Sequence, residues 1–203
     1  MSLKDSFLGL IIICLWGFNF IVIALGVESI PPLLMGALRF LCVASLGSLF
    51  VKKPSIPWHW MAAYALTLCF GQFAFLFSAM AYGMPAGLAS LVLQSQAVFT
   101  LIFSAIMLKE VIKLPQIFAM VIAGIGLTVI GFSGADTPMT LLGFVLTIVA
   151  AISWAIGNVV NRVINQRGYK ASIGLVVWSS WIAFIPFLLS SYFLKGRKPL
   201  SPH

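Results

Sequence analysis

The sequence predicts an all-helical, polytopic membrane protein with seven transmembrane helices, and three observations carry that reading. First, the chain of 203 residues is 62% apolar and only 8% charged, against about 25% charged in an average soluble domain. A chain of this size cannot hide so much apolar surface in its own core, so its natural solvent is lipid; the mean hydropathy of +1.12 agrees. Second, seven apolar runs follow one another, each of about 18 residues or more, the length that crosses a bilayer core as helix. Third, the gaps between them are short and hold the residues that break helices, with no room for a soluble domain.

Each span has its own boundary signals. The first covers residues 7–27 after Lys4; it is longer than the roughly 7–15-residue core of a signal peptide, so it reads as a retained helix although Ala24-Leu25-Gly26 loosely resembles a cleavage site. Pro31-Pro32 starts the second, 33–51, and Lys52-Lys53-Pro54 ends it. The third, 58–81, opens on Trp58-His59-Trp60, an aromatic cluster suited to the membrane interface, where His59 reads as an interfacial polar residue. Gly83-Met84-Pro85 turns the chain into the fourth, 86–108, with proline placed where a helix tolerates it. Lys109 to Lys113 separates the fourth from the fifth, 115–132, and Gly134 to Pro138 leads to the sixth, 141–160. Arg162 to Lys170 precedes the seventh, 173–194.

Several function classes are excluded. Cys14, Cys42 and Cys69 each lie inside an apolar run, where cysteine behaves as a small hydrophobe and not as part of a disulfide framework. The net charge of +8 comes from Lys and Arg scattered between spans, which is loop charge and not a phosphate-tracking stripe, so no nucleic-acid partner is expected. No HExxH, GxSxG, Cys-x-x-Cys or Walker loop occurs, and no Ser or Thr in a span has a His or acid placed to activate it. The sequence predicts no enzyme, no metal site and no cofactor.

Positive loop residues set orientation. With the N-terminus in the cytoplasm, Lys4, Lys52, Lys53, Lys109, Lys113, Arg162, Arg167 and Lys170 all fall inside, and the loops at 28–31, 82–85 and 133–138 carry no positive charge. The pattern fails only after the seventh span, where Lys195, Arg197 and Lys198 fall outside.

Those charges are either ordinary outer-loop charges, tolerated because the upstream spans already fix orientation, or the mark of a fragment of something longer, and an internal repeat favours the second. Leu15-Trp16-Gly17-Phe18-Asn19-Phe20 in the first span is echoed by Ser153-Trp154-Ala155-Ile156-Gly157-Asn158 in the sixth. Each places a Trp about one helical turn before an Asn, so the pair can share a face. The repeat unit is then five helices, residues 1–133, and a second unit starts at 139–203 with two. An odd unit enters the membrane inverted, the arrangement of secondary transporters that bind substrate near the midplane between halves. The unfinished second unit reads as a piece of a longer carrier or a natural truncation, and it leaves room for pairing with a second copy, a homo-oligomer, although no motif demands one.

These residues also carry a resemblance. The two Trp-to-Asn segments, Gly36-Ala37-Leu38-Arg39-Phe40, Phe73-Ala74-Phe75-Leu76-Phe77, the run from Gly83 to Gln94 and the acidic Glu110 after the fourth span together resemble the EamA family of the drug/metabolite transporter superfamily. The likeness covers nearly the whole chain to about residue 194. It implies the first seven of ten helices in two inverted repeats, placement in the bacterial inner membrane, and export of small metabolites by alternating access, with cysteine and O-acetylserine as the first substrates to expect. Another amino acid, a drug-like solute, or a truncated carrier or scaffold that transports nothing are the alternatives. The cavity would lie between the repeats, lined by spans one, three, four and six.

Within the spans a few residues stand out. Arg39 lies seven residues past Pro32, about 10 Å into the membrane at 1.5 Å per residue, where an arginine costs about 2.5–3.5 kcal/mol to insert. It either snorkels outward or serves a substrate carboxylate; no Asp or Glu lies in any span to pair with it, and Glu28 can reach only partway. The absence of embedded acids leaves no proton relay in these spans. Asn19, Gln72, Gln94, Gln96 and Asn158 are amides that should face the bundle or a wet cavity, and amides suit a zwitterionic amino acid because they donate to carboxylate and accept from ammonium. Gln94 and Gln96 cannot share one helical face. Asn19, Arg39 and Gln94, with Trp16, Gln72, Trp154 and Asn158, are the candidate substrate-binding residues. Glu110 is expected to pair locally with Lys109 or Lys113.

Overall fold

The computed structural model describes residues 3–132 and 139–194. The charged tail with Lys195, Arg197 and Lys198, and the loop 133–138, lie outside the described residues. All regular structure among the described residues is helical. The helices are α1 (Leu3–Ser29), α2 (Pro32–Phe50), α3 (Trp58–Ala81), α4 (Ala86–Leu108), α5 (Leu114–Phe132), α6 (Leu141–Gln166) and α7 (Ile173–Leu194). All seven are long and apolar enough to cross a membrane. Prolines start them where the sequence places them: Pro32 at the head of α2, Pro57 before α3 and Pro85 before α4, positions where a missing N–H costs nothing.

α6 runs through Arg162 to Gln166, beyond the expected end at residue 160. The apolar run stops before the helix does, because the polar Asn158, Arg162 and Asn165 side chains make their contacts from helical backbone. Two interruptions carry no apolarity signal at all. α3 contains a π-helical stretch, Ala65–Gly71, and α4 is broken between Leu93 and Gln96. The π stretch is tied to α6: Ser153 donates from its hydroxyl to the Thr67 carbonyl at 2.8 Å. A π turn widens the helix at a point where a neighbour can satisfy the displaced carbonyl.

Two buried clusters hold the bundle. One joins Phe20 and Ile23 of α1, Phe77 and Met80 of α3, Val92 and Leu93 of α4, and Ala150 and Ala151 of α6. The other joins Phe40 of α2, Met61, Tyr64 and Cys69 of α3, Ile164 of α6 and Phe187 of α7. Phe73 packs against both. α2 and α7 approach closely enough that a Cβ on Gly36 would clash with the buried Phe187 ring, so only glycine fits there. α5 differs from the rest: none of its residues is buried, and apart from Leu127 and Ile130, which pack against the first cluster, most of its apolar side chains are exposed as lipid-facing surface is. At the turn between α3 and α4, Gly83 has φ +93, and the Thr140 hydroxyl donates to the Tyr82 carbonyl, fastening the start of α6 to that turn.

Candidate functional site

The site is built around Arg39. Its guanidinium Nη1 donates to Asn19 Oδ1 of α1 at 3.0 Å, and its Cζ lies 4.5 Å from the centroid of the Phe73 ring of α3. Among the described residues it has no carboxylate partner. A hydrogen bond to a charged group contributes about 1.5–3 kcal/mol and a cation–π contact about 0.5–2 kcal/mol. These contacts are of the same order as the insertion penalty, so Arg39 is held inside the bundle without a counter-ion. A cavity of about 330 Å³ opens beside it, lined by Trp16, Asn19, Arg39, Gln72, Phe73 and Leu93 among others. That volume is at the small end of the range for small-molecule sites, about 300–1,000 Å³. Gln72 is buried, at 4% exposure, and comes directly after the π stretch. Each residue added to a turn rotates the downstream helix by about 100°, so the π stretch sets which face Gln72 and Phe73 present.

Trp16 and Trp154 stack on each other, with ring centroids 5.3 Å apart and planes at 14°. Each stands near the middle of its helix, α1 of 27 residues and α6 of 26. Trp154 thus reaches the site through Trp16. Asn158 belongs to a different contact. Its amide donates to Gln96 Oε1 at 2.8 Å and to Thr100 Oγ1 at 3.2 Å, in a polar seam between α4 and α6. Gln94 caps the first half of α4 and is exposed, outside the lining of the Arg39 cavity. The helix break between Leu93 and Gln96 directs the two glutamines apart, and Gln96 takes the inward contact.

The structure therefore brings together Trp16, Asn19, Arg39, Gln72 and, by stacking, Trp154. The lining comes from α1, α2, α3 and α4, with α6 behind. Phe73 is a site residue that sequence reasoning missed, though it stands in the Phe73-to-Phe77 run and supplies the aromatic face under Arg39. Glu28 lines a separate cavity of about 350 Å³ with Ala24, Gly83 and Pro85, farther along α1 from the Arg39 cavity, so it does not pair with Arg39. His59 packs against Trp60, with centroids 5.2 Å apart.

Glu110 departs from expectation. It pairs with Arg162 of α6 instead of Lys109 or Lys113. Lys109 closes α4 in the left-handed conformation, at φ 56, which turns the chain so that the carboxylate reaches across to α6. Ser104 accepts from the same Arg162 nitrogen at 3.3 Å. Gln96, Thr100 and Ser104 recur every four residues and so share one face of α4; that spacing was the sequence signal for the seam, and it faces Asn158 and Arg162, four apart on α6.

The comparisons with known proteins agree with this architecture. The profile of the EamA-like transporter family matches residues 4–132. Over 200 residues the chain is 46% identical to a protein of Salmonella typhimurium named probable amino-acid metabolite efflux pump, covering 97% of this chain and 66% of that protein. A protein of the same name from Escherichia coli is 43% identical over 198 residues, again 97% and 66% of the two chains. The uncharacterized inner membrane transporter YedA of Escherichia coli is 32% identical over 152 residues, 71% of this chain and 49% of that one. The chain thus spans about two thirds of the length of the first two relatives. With seven membrane-length helices and a family match over residues 4–132, the chain belongs to the EamA-like transporter family.

Proposed function

We propose that this chain supplies the substrate cavity of an inner-membrane exporter of small amino-acid-like metabolites, with cysteine and O-acetylserine as the first substrates to test. The observation that carries the reading is Arg39: an embedded guanidinium, oriented by Asn19 and Phe73, beside a cavity and without a carboxylate partner among the described residues. A solute carboxylate completes its charge, and the carboxamides of Asn19 and Gln72 are suited to the polar groups of a zwitterion. The names of the two relatives, amino-acid metabolite efflux pumps, point the same way.

Residues 1–133 form the first five-helix repeat in this reading, and 139–203 begin the second, inverted one. The mid-helix stack of Trp16 on Trp154 supports that pairing, because matched positions of inverted repeats meet at their shared axis near the midplane. The N-terminus lies in the cytoplasm, as the distribution of Lys and Arg supports. Transport in this reading is by alternating access, with the cavities along α1 assigned to the outward half of the route.

Export from cells tests this. Cells that express the full-length protein should accumulate thiol and O-acetylserine in the medium above an empty-vector control. Arg39→Ala should abolish that excess at an equal membrane level. Equal accumulation with and without the protein would point to another solute or to a scaffold that transports nothing.

A further inference from the structure

The α4–α6 seam ends at an ion pair that the substrate cavity does not use. On α6, Arg162 is bound by two groups at once, the Glu110 carboxylate and the Ser104 hydroxyl. Ser104 is buried, at 1% exposure, while the charged pair stays accessible at 44% and 41%. Glu110 is presented from the non-helical stretch after α4, on the far side of the left-handed Lys109, and not from a rigid helix. Inward from Arg162, the same faces of α4 and α6 carry Thr100, Gln96 and Asn158, joined by hydrogen bonds. A cation already holding a carboxylate, a buried hydroxyl beside it, and a polar track leading into the bundle make a site for a second carboxylate.

We propose that Arg162 with Ser104 is a carboxylate-binding site at the cytoplasmic mouth, and that Glu110 occupies it as a resident stand-in which an incoming solute carboxylate displaces. The ligand class is a small carboxylate, an amino acid if the reading above holds, on which this inference rests. Displacing Glu110 also releases the stretch after α4 from α6, while the Asn158 hydrogen bonds to Gln96 and Thr100 stay in place, so binding at this mouth and loosening of that end of the seam are one event. An exposed ion pair is weakly held against competitors in water, which makes the exchange accessible. Arg162 and Arg39 then act in succession on the same group of the solute.

A pair of substitutions with opposite expected signs tests this. The full-length protein in liposomes takes up radiolabelled O-acetyl-L-serine, presented at the cytoplasmic face, and KM and kcat are read separately. Glu110→Gln removes the resident competitor and should lower KM severalfold. Arg162→Gln removes the acceptor and should raise it severalfold, with Arg162→Lys in between. Ser104→Ala leaves the ion pair in place and should raise KM by a smaller factor; it carries the test if a variant of the pair fails to fold. A shift of KM in the same direction for Glu110→Gln and Arg162→Gln, or no shift for Ser104→Ala, overturns the proposal and leaves the pair as a structural tie. Acetate serves as a second probe, read by thermal stability in detergent. It should stabilise Glu110→Gln and not Arg162→Gln. That result in a protein that moves no amino acid removes the substrate reading and keeps the carboxylate site. Amino-acid transport with no difference between the two variants in acetate does the reverse.

Discussion

Arg39 shows how one charged residue is made tolerable inside a bundle by its neighbours. Its presence in an apolar span was legible because a charge there is costly and must be explained. Its partners were not legible, because Asn19 lies 20 residues away and Phe73 on a third helix, and no spacing rule links separate helices. Asn19→Ala should leave the Arg39 head without its acceptor and raise KM about tenfold, the factor for ~1.4 kcal/mol, while kcat holds in a liposome uptake assay. Phe73→Leu keeps the volume approximately but removes the ring face; a loss of about 0.5–2 kcal/mol should appear as weaker binding with little change in melting temperature. Glu110 shows the limit of local reasoning. Lysines on both sides made near-neighbour pairing the natural expectation, and a single left-handed residue, Lys109, sent the carboxylate to α6.

At the scale of elements, the sequence defined the spans well because hydrophobic length is a one-dimensional property. The bounds of the third and fourth spans coincide with the helices, 58–81 and 86–108. The π stretch in α3 and the break in α4 were not legible, since neither changes apolarity. They arise where helices meet: Ser153 captures the Thr67 carbonyl, and a Cβ on Gly157 would come within 3.1 Å of the Leu68 backbone. Gly157→Val should therefore push α6 off the π stretch and destabilise the bundle by about 1–3 kcal/mol, the usual cost of overpacking, measured as thermal unfolding in detergent. On α5 the opposite holds. A Cβ on Gly124 or Gly126 meets nothing within 4 Å, so alanine at either should leave stability within about 0.5 kcal/mol of the parent or raise it. A large loss at these positions would show that α5 packs against a surface beyond the described residues.

At the scale of the whole molecule, the helices and family were legible because composition, spans and motifs all point one way. The proposed repeat rests on a six-residue echo, whose matched residues Trp16 and Trp154 stack on each other. The proposed function rests on Arg39, which has no carboxylate partner among the described residues, and the most direct measurement is binding at that charge. Purified full-length protein should bind O-acetyl-L-serine by isothermal titration, its methyl ester about tenfold or more weaker, and Arg39→Gln should bind acid and ester alike. Equal affinity of the parent protein for acid and ester, or an Arg39→Gln variant that still prefers the acid, would contradict a carboxylate site at Arg39.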